Sequence, residues 1–308
     1  MSATPVPGKD HWTKKGKDVD LFIFEKPSVA PGKPKGTVLF VHGSSMASQP
    51  TFDLQVPGRD DSSAMDVFAR AGYNCWTADH EGYGRSTKTR DITSTIDDGA
   101  DDLEAVSKYI LERNGGDKLL MYGISSGALR AAKFAERHPE RVRRLALDAF
   151  VWTGEGAPTL VERRKKLEEF RAMKRRPINR AFVHSIFERD HPGTASHEVI
   201  EAFADAILSL DDSMPTGTYV DMCSKLPLID PAKILVPTVV MRGEYDGIAG
   251  FDDLLAFFKA LPNNDKQFAV MPGISHASFQ QKNYALVYHI LKSFYEQPEP
   301  VYRGEGGH

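Results

Sequence analysis

The chain alternates between short runs that are apolar at almost every position and longer runs whose apolar residues recur every three or four positions. The first kind reads as buried strands and the second as helices with one apolar face. Residues 19–26 (VDLFIFEK) and 36–43 (GTVLFVHG) are strand-like, rich in Val, Ile, Leu and Phe. Residues 62–72 (SSAMDVFARAG) follow as a helix with a glycine stop, then 73–79 (YNCWTAD) as a strand. The segment 97–116 (DDGADDLEAVSKYILERNGG) opens acidic and closes on Gly-Gly, as a helix dipole and C-cap prefer. KLLMYG (118–123) is a strand, SSGALRAAKFAERHP (125–139) a helix ended by proline, and RVRRLALDAF (141–150) another strand. From 153 to 232 the rhythm changes to helical periods without an obvious strand: TLVERRKKLEEFRAMKRR, NRAFVHSIFERD, SHEVIEAFADAILSL and TYVDMCSKL. Alternation resumes with PTVVMRG (237–243), FDDLLAFFKAL (251–261), KQFAVMPG (266–273) and KNYALVYHILKSFYEQ (282–297).

Repeated strand–helix units predict an α/β fold, a mostly parallel doubly wound sheet with helices on both faces. The helical block predicts an inserted cap. The expected division is 1–152 as the first part of the core, 153–232 as the cap, and 233–308 as the second part, ending in a flexible tail at RGEGGH. Lys+Arg 39 against Asp+Glu 42 leaves a net charge of −3, which argues against a nucleic-acid partner and against a disordered chain. The two cysteines suggest no disulfide framework; Cys75 sits in an apolar run and reads as a buried thiol. No Cys/His spacing fits zinc, and no cofactor is expected. The N-terminus lacks an apolar signal core, and no apolar stretch approaches the roughly 20 residues of a membrane span. A cytoplasmic protein without a membrane partner is the expectation; oligomeric state is left open.

The chemistry gathers where strands end. In Gly123-Ile124-Ser125-Ser126-Gly127, a strand runs directly into a helix. A nucleophile on so sharp a turn needs very small neighbours two positions either side, and glycine stands at both when Ser125 is the centre. Centred on Ser126, the flanks would be Ile124 and Ala128. The plain alternative is a turn with a serine N-cap. A serine hydroxyl needs a base, and the base an orienting acid. His276 follows the strand KQFAVMPG, and Asp246 follows PTVVMRG. Glu244 lies nearer the strand end, and Asp148, which ends the strand RVRRLALD, is the main competitor to Asp246. Most of the other histidines (His11, His138, His184, His191, His197, His289, His308) read as surface, helical or terminal residues. After GTVLFV, His42-Gly43-Ser44-Ser45 forms a small turn suited to converging N–H groups on developing negative charge. The expected donors are the backbone N–H groups of Ser44 and Ser126, with His42 as a structural brace.

Together these pieces resemble the α/β-hydrolase superfamily of capped serine hydrolases. The resemblance covers roughly residues 19–297 through VHGSS, DHEGYGRS (79–86), GISSG, GEYD (243–246) and GISH (273–276). The chain order Ser125, Asp246, His276 matches it. It implies an esterase-like enzyme that cleaves a small-molecule carboxylic ester through an acyl-enzyme. Serine at the nucleophile position argues against dehalogenase chemistry, and Ser126 after it, in place of methionine, argues against carbon–carbon cleavage. Lactone, amide or carbon–carbon hydrolysis by the same residues, and a non-catalytic small-molecule receptor, remain alternatives. The long segment 46–62 suggests Ser45, Phe52 and Leu54 as pocket residues. A basic row, Arg163 to Lys166 and Lys174 to Arg176, reads either as a solvated face, with Leu160, Leu167, Phe170 and Met173 turned inward, or as an attractor of anionic substrate.

Overall fold

A computed structural model describes residues 4–302 of the chain. In chain order its strands are β1 (Lys9–Lys15), β2 (Val19–Lys26), β3 (Gly36–Val41), β4 (Tyr73–Ala78), β5 (Leu119–Ile124), β6 (Val142–Asp148), β7 (Arg175–Pro177), β8 (Ser213–Pro215), β9 (Thr238–Gly243) and β10 (Lys266–Met271). The helices are α1 (Ser48–Phe52), α2 (Ala64–Arg70), α3 (Ile96–Leu111), α4 (Ser126–Arg137), α5 (Pro158–Arg164), α6 (Leu167–Ala172), α7 (Arg180–Glu188), α8 (His197–Leu208), α9 (Gly217–Ser224), α10 (Phe251–Ala260) and α11 (Ala285–Tyr295). Eight strands form one sheet in the order β1-β2-β4-β3-β5-β6-β9-β10. Every pairing from β4 to β10 is parallel, while β2 runs antiparallel to both β1 and β4.

The sheet separates two cores because successive strand residues point to opposite faces. Leu21, Ile23, Leu39, Val41 and Met121 enter one core; Phe22, Phe24, Val38, Phe40 and Tyr122 enter the other. The second core is rich in aromatic contacts, with Phe40, Phe52, Tyr122 and Phe279 packed edge to face or tilted. α3 opens on a capping box in which Thr95 and Asp98 satisfy each other's backbone N–H groups. The chain runs from β3 to β4 on one side and resumes at β5 on the other, so the topological switch lies between β3 and β5, where open α/β sheets bind ligands.

The block between β6 and β9 departs from its expected form in two ways. TLVERRKKLEEFRAMKRR is not one helix: it breaks into α5 and α6 and ends in β7. β7 pairs antiparallel with β8, a ribbon the pattern does not reveal. Apolar side chains of this block, including Leu160, Phe170, Ile186 and Phe203, join the same core as Leu39 and Leu129. The sheet also gains an unexpected antiparallel edge in β1, whose residues are largely polar. Cys75 and Cys223 are free thiols and buried. RGEGGH and His308 lie outside the described residues. Among the described residues, no helix is long and apolar enough to cross a membrane.

Candidate active site

Ser125 sits on the turn between β5 and α4 with φ 58° and ψ −127°, a left-handed backbone that a non-glycine residue rarely adopts. Its two glycine flanks are a steric requirement. A Cβ at Gly123 would lie 2.5 Å from the Gly127 carbonyl oxygen; one at Gly127 would lie 2.3 Å from the Val41 oxygen and 2.5 Å from that of His42. The Ser125 N–H donates to the Asp148 carbonyl at 2.9 Å, which fixes the turn from below. The side chain makes no N-cap hydrogen bond, so the plain N-cap reading fails.

Instead, Ser125 Oγ lies 2.9 Å from His276 Nε2. His276 Nδ1 lies 3.0 and 3.1 Å from the two carboxylate oxygens of Asp246. A carboxylate can only accept, so Nδ1 carries the proton and Nε2 presents its lone pair to the serine hydroxyl. Asp246 Oδ1 also accepts the N–H groups of Ile248 and Ala249 at 2.8 and 3.2 Å. Burial alone would raise this carboxyl. The His276 charge, the His276 hydrogen bond and the two amides outweigh burial and hold it at about 2. Arg242 braces the loop, donating from Nε to the Ala249 carbonyl at 2.8 Å.

Asp148 is fully buried and takes a 2.6 Å hydrogen bond from the Tyr122 hydroxyl. Burial, with the nearby Asp246 charge adding to it, pushes its carboxyl up to about 7. Its position under the turn, away from the imidazole, separates it from Asp246. Glu244 accepts the Gly273 N–H and also makes no contact with His276.

The loop after β3 lies against this turn: a Cβ at Gly43 would be 3.2 Å from the Ile124 oxygen and 3.3 Å from Ser125 Cβ. Among the described residues, the backbone N–H groups of Ser44 and Ser126 have no acceptor. Their hydroxyls are joined in a buried chain, Thr218 Oγ1 to Ser44 Oγ at 2.7 Å and Ser44 Oγ to Ser126 Oγ at 2.6 Å. His42 donates from Nδ1 to the Gly43 carbonyl at 2.8 Å and accepts the His80 N–H on Nε2 at 3.0 Å. Burial, together with His80 and Arg130, holds its pKa well below the ordinary value, so it is a neutral brace for the loop. In DHEGYGRS, Asp79 accepts from Ser48 and from the Arg85 N–H, a structural role.

A narrow chamber of about 30 Å³ opens at Ser125 and His276, lined also by Ser45, Thr51, Arg163 and Arg189. It adjoins a vestibule of about 620 Å³ that shares Arg163, Arg189 and Tyr219. Of the expected pocket residues, Ser45 lines the chamber and holds the Tyr219 hydroxyl at 2.9 Å. Phe52 does not: it is fully buried in the aromatic core, and its neighbour Thr51 faces the chamber instead. Leu54 lines a separate groove with Gln49 and Pro50. Sequence reasoning missed Thr218, Tyr219 and Arg189. Nothing in a one-dimensional pattern marks the first two, because their partners Ser44 and Ser45 lie 174 positions away.

Comparison with known proteins gives a consistent likeness. A family profile described as "Serine aminopeptidase, S33" matches residues 32–283. The AB hydrolase superfamily protein YisY of Bacillus subtilis (strain 168) is 24% identical over 286 residues, 88% of this chain and 94% of that protein. A soluble variant of monoglyceride lipase from Saccharomyces cerevisiae, in complex with a substrate analogue, superposes with a TM-score of 0.70 at 17% identity, covering 96% of this chain and 97% of the other. A thermophilic esterase from Thermogutta terrifontis does so with a TM-score of 0.65 at 20% identity, covering 93% and 99%. At such identities these two structures establish likeness of fold.

Proposed function

The chain belongs to the serine aminopeptidase S33 family of α/β hydrolases, and from that membership we propose that it cleaves a small-molecule carboxylic ester through an acyl-enzyme on Ser125. The observation that carries this reading is the unbroken hydrogen-bonded line from Ser125 through His276 to Asp246, opening into the chamber. His276 Nε2 takes the Ser125 proton as Oγ attacks the substrate carbonyl. The carbonyl oxygen gains the negative charge, and the Ser44 and Ser126 amides receive it. The imidazolium then protonates the departing alkoxide, leaving the acyl group on Oγ. In the second half, Nε2 takes a proton from water, whose oxygen attacks the acyl carbon, and returns the proton to Oγ. Asp246 holds the ring's tautomer and balances its transient charge. The helices and ribbon between β6 and β9 act as the cap that roofs the site.

The chamber lining favours an ester over an amino-terminal peptide. An aminopeptidase must hold a free ammonium with acceptors, and the chamber presents the guanidiniums of Arg163 and Arg189. A fluorophosphonate probe should label wild-type protein and leave Ser125→Ala unlabelled. Short esters should turn over with kcat reduced by several orders of magnitude in that variant. Equal labelling of the variant, or wild-type protein inert to both probe and esters, overturns the proposal.

A further inference from the structure

The chamber is more cationic than catalysis on a neutral ester requires. The Arg163 side chain, on α5, has no ion pair or hydrogen bond among the described residues; its guanidinium lies 5.3 Å from the centre of the Tyr219 ring. Arg189, just past α7, is 20% exposed. Among the described residues its ion-pair partner is Asp190, at 3.4 Å from Nε, and Asp190 also takes the Thr159 hydroxyl at 2.5 Å. Arg189 Nη2 is buried and has no partner. A third guanidinium, Arg176, lies 5.3 Å from the same Tyr219 ring on the vestibule side. The other vestibule acids are engaged elsewhere: Glu162 with Lys165, Glu244 with the Gly273 N–H, and Asp246 with His276. Two guanidiniums thus meet in one confined space with one shared counter-charge. Burial and the neighbouring Arg189 push Arg163 down to about 10, the direction expected of a cation lacking an anion.

Both side chains are half-buried and one nitrogen, Arg189 Nη2, is fully buried without a partner; desolvating a cation without an anion is costly, and the cost is recovered when an anion binds. The planar fork of arginine matches a carboxylate in a bidentate fashion. We propose that Arg163 and Arg189 form a carboxylate-binding subsite beside Ser125, and that the preferred substrate is an ester bearing a free carboxylate, such as a monoester of a short dicarboxylic acid. This rests on the ester-hydrolase reading above and names its substrate class. Arg163 and Arg189 line both the chamber and the vestibule, so a carboxylate held between them sits at the chamber mouth while the scissile carbonyl enters at Ser125.

The test pairs monoethyl glutarate with its uncharged isostere ethyl 5-methylhexanoate and follows ethanol release. Wild-type protein should favour the glutarate ester in kcat/KM by about tenfold or more, the worth of a charge-assisted hydrogen-bond pair. Arg163→Met and Arg189→Met should each collapse that ratio, mainly through KM. Arg163→Lys and Arg189→Lys keep the charge and should retain part of it, which guards against simple misfolding. Separately, Ser125→Ala should bind glutarate by calorimetry, and adding Arg163→Met should weaken that binding by about tenfold. Equal or better turnover of the neutral ester, or no glutarate binding to Ser125→Ala, overturns the subsite. Glutarate binding without turnover of any ester upholds the subsite and sinks the ester reading.

Discussion

Replacing Asp246 by asparagine tests which of two buried acids serves His276. The surroundings hold the Asp246 carboxyl at about 2 against an ordinary 3.8. At 1.36 kcal/mol per unit, they favour its ionised form by roughly 2–3 kcal/mol. An amide at this position keeps an oxygen for the Ile248 and Ala249 N–H groups, which turns its NH₂ toward His276 Nδ1. That forces the proton onto Nε2, which then donates to Ser125 instead of accepting from it. The expected loss in kcat is about 10³–10⁴-fold, the scale of losing both tautomer control and imidazolium stabilisation. Steady-state hydrolysis of p-nitrophenyl acetate, normalised by active-site titration, measures it. The stability readout has a defined sign. A depressed carboxyl stabilises the fold above about pH 4 and loses that contribution as pH falls toward 2, so the acid limb of the wild-type stability curve should flatten in Asp246→Asn. Asp148→Asn is the control, expected to stay within about tenfold of wild type because Tyr122 can donate to an amide oxygen as it does to the carboxylate. Activity within about tenfold of wild type in Asp246→Asn, or collapse in Asp148→Asn alone, would refute the assignment.

Asp148 carries a pH dependence of opposite sign. With its folded pKa raised to about 7, the native state keeps a proton that the unfolded chain gives up, so stability should fall as pH rises from about 4 to 7. Asp148→Asn should flatten that slope and raise the denaturation midpoint at pH 8; an unchanged slope contradicts the burial argument. Gly127→Ala drives a Cβ to 2.3 Å from a backbone oxygen and should cost about 1–3 kcal/mol or more by guanidinium denaturation, along with most activity. Thr218→Val removes the donor to Ser44 and should lower kcat more than it raises KM, with a stability cost of about 0.5–1.5 kcal/mol in the same assay.

The parts of the fold that the sequence makes plain are those whose burial is decided by the chain's own period. β2, β3, β5 and β9 are buried on both faces and read as continuous apolar runs, within a residue or two of their observed ends. β1 is an edge strand: only His11, Thr13 and Lys15 of its alternating positions are even half-buried, so a period of two is present but carried by polar residues. β7 and β8 are three residues each, held by pairing across 38 positions rather than by pattern. The site follows the same division. Ser125 is readable because its turn imposes glycines locally, and His276 and Asp246 because strand ends precede them. Phe52 fails as a pocket residue because the short helix α1, which the pattern does not reveal, turns it into the aromatic core against Phe40 and Tyr122. The hydroxyl chain from Thr218 to Ser126 is invisible until the fold brings its ends together.

The basic row shows where a sequence signal exists but points two ways. The structure divides the row: some of its residues face solvent and Arg163 lines the chamber. Arg164, Lys165, Lys166 and Lys174 are exposed, as a solvated face requires. Arg163 stands three positions after the buried Leu160 on α5, so the helical period that turns Leu160 inward turns it inward too. Arg189 stands three after the buried Ile186. A cation on an apolar stripe is the exception that burial statistics flag, since such groups are seldom buried without a partner. The net charge of −3 conceals it, because a sum over 81 charged side chains carries no information about two that share a chamber. A guanidinium turned inward beside a nucleophile, with one shared carboxylate to balance two of them, is a site that the substrate itself has to complete.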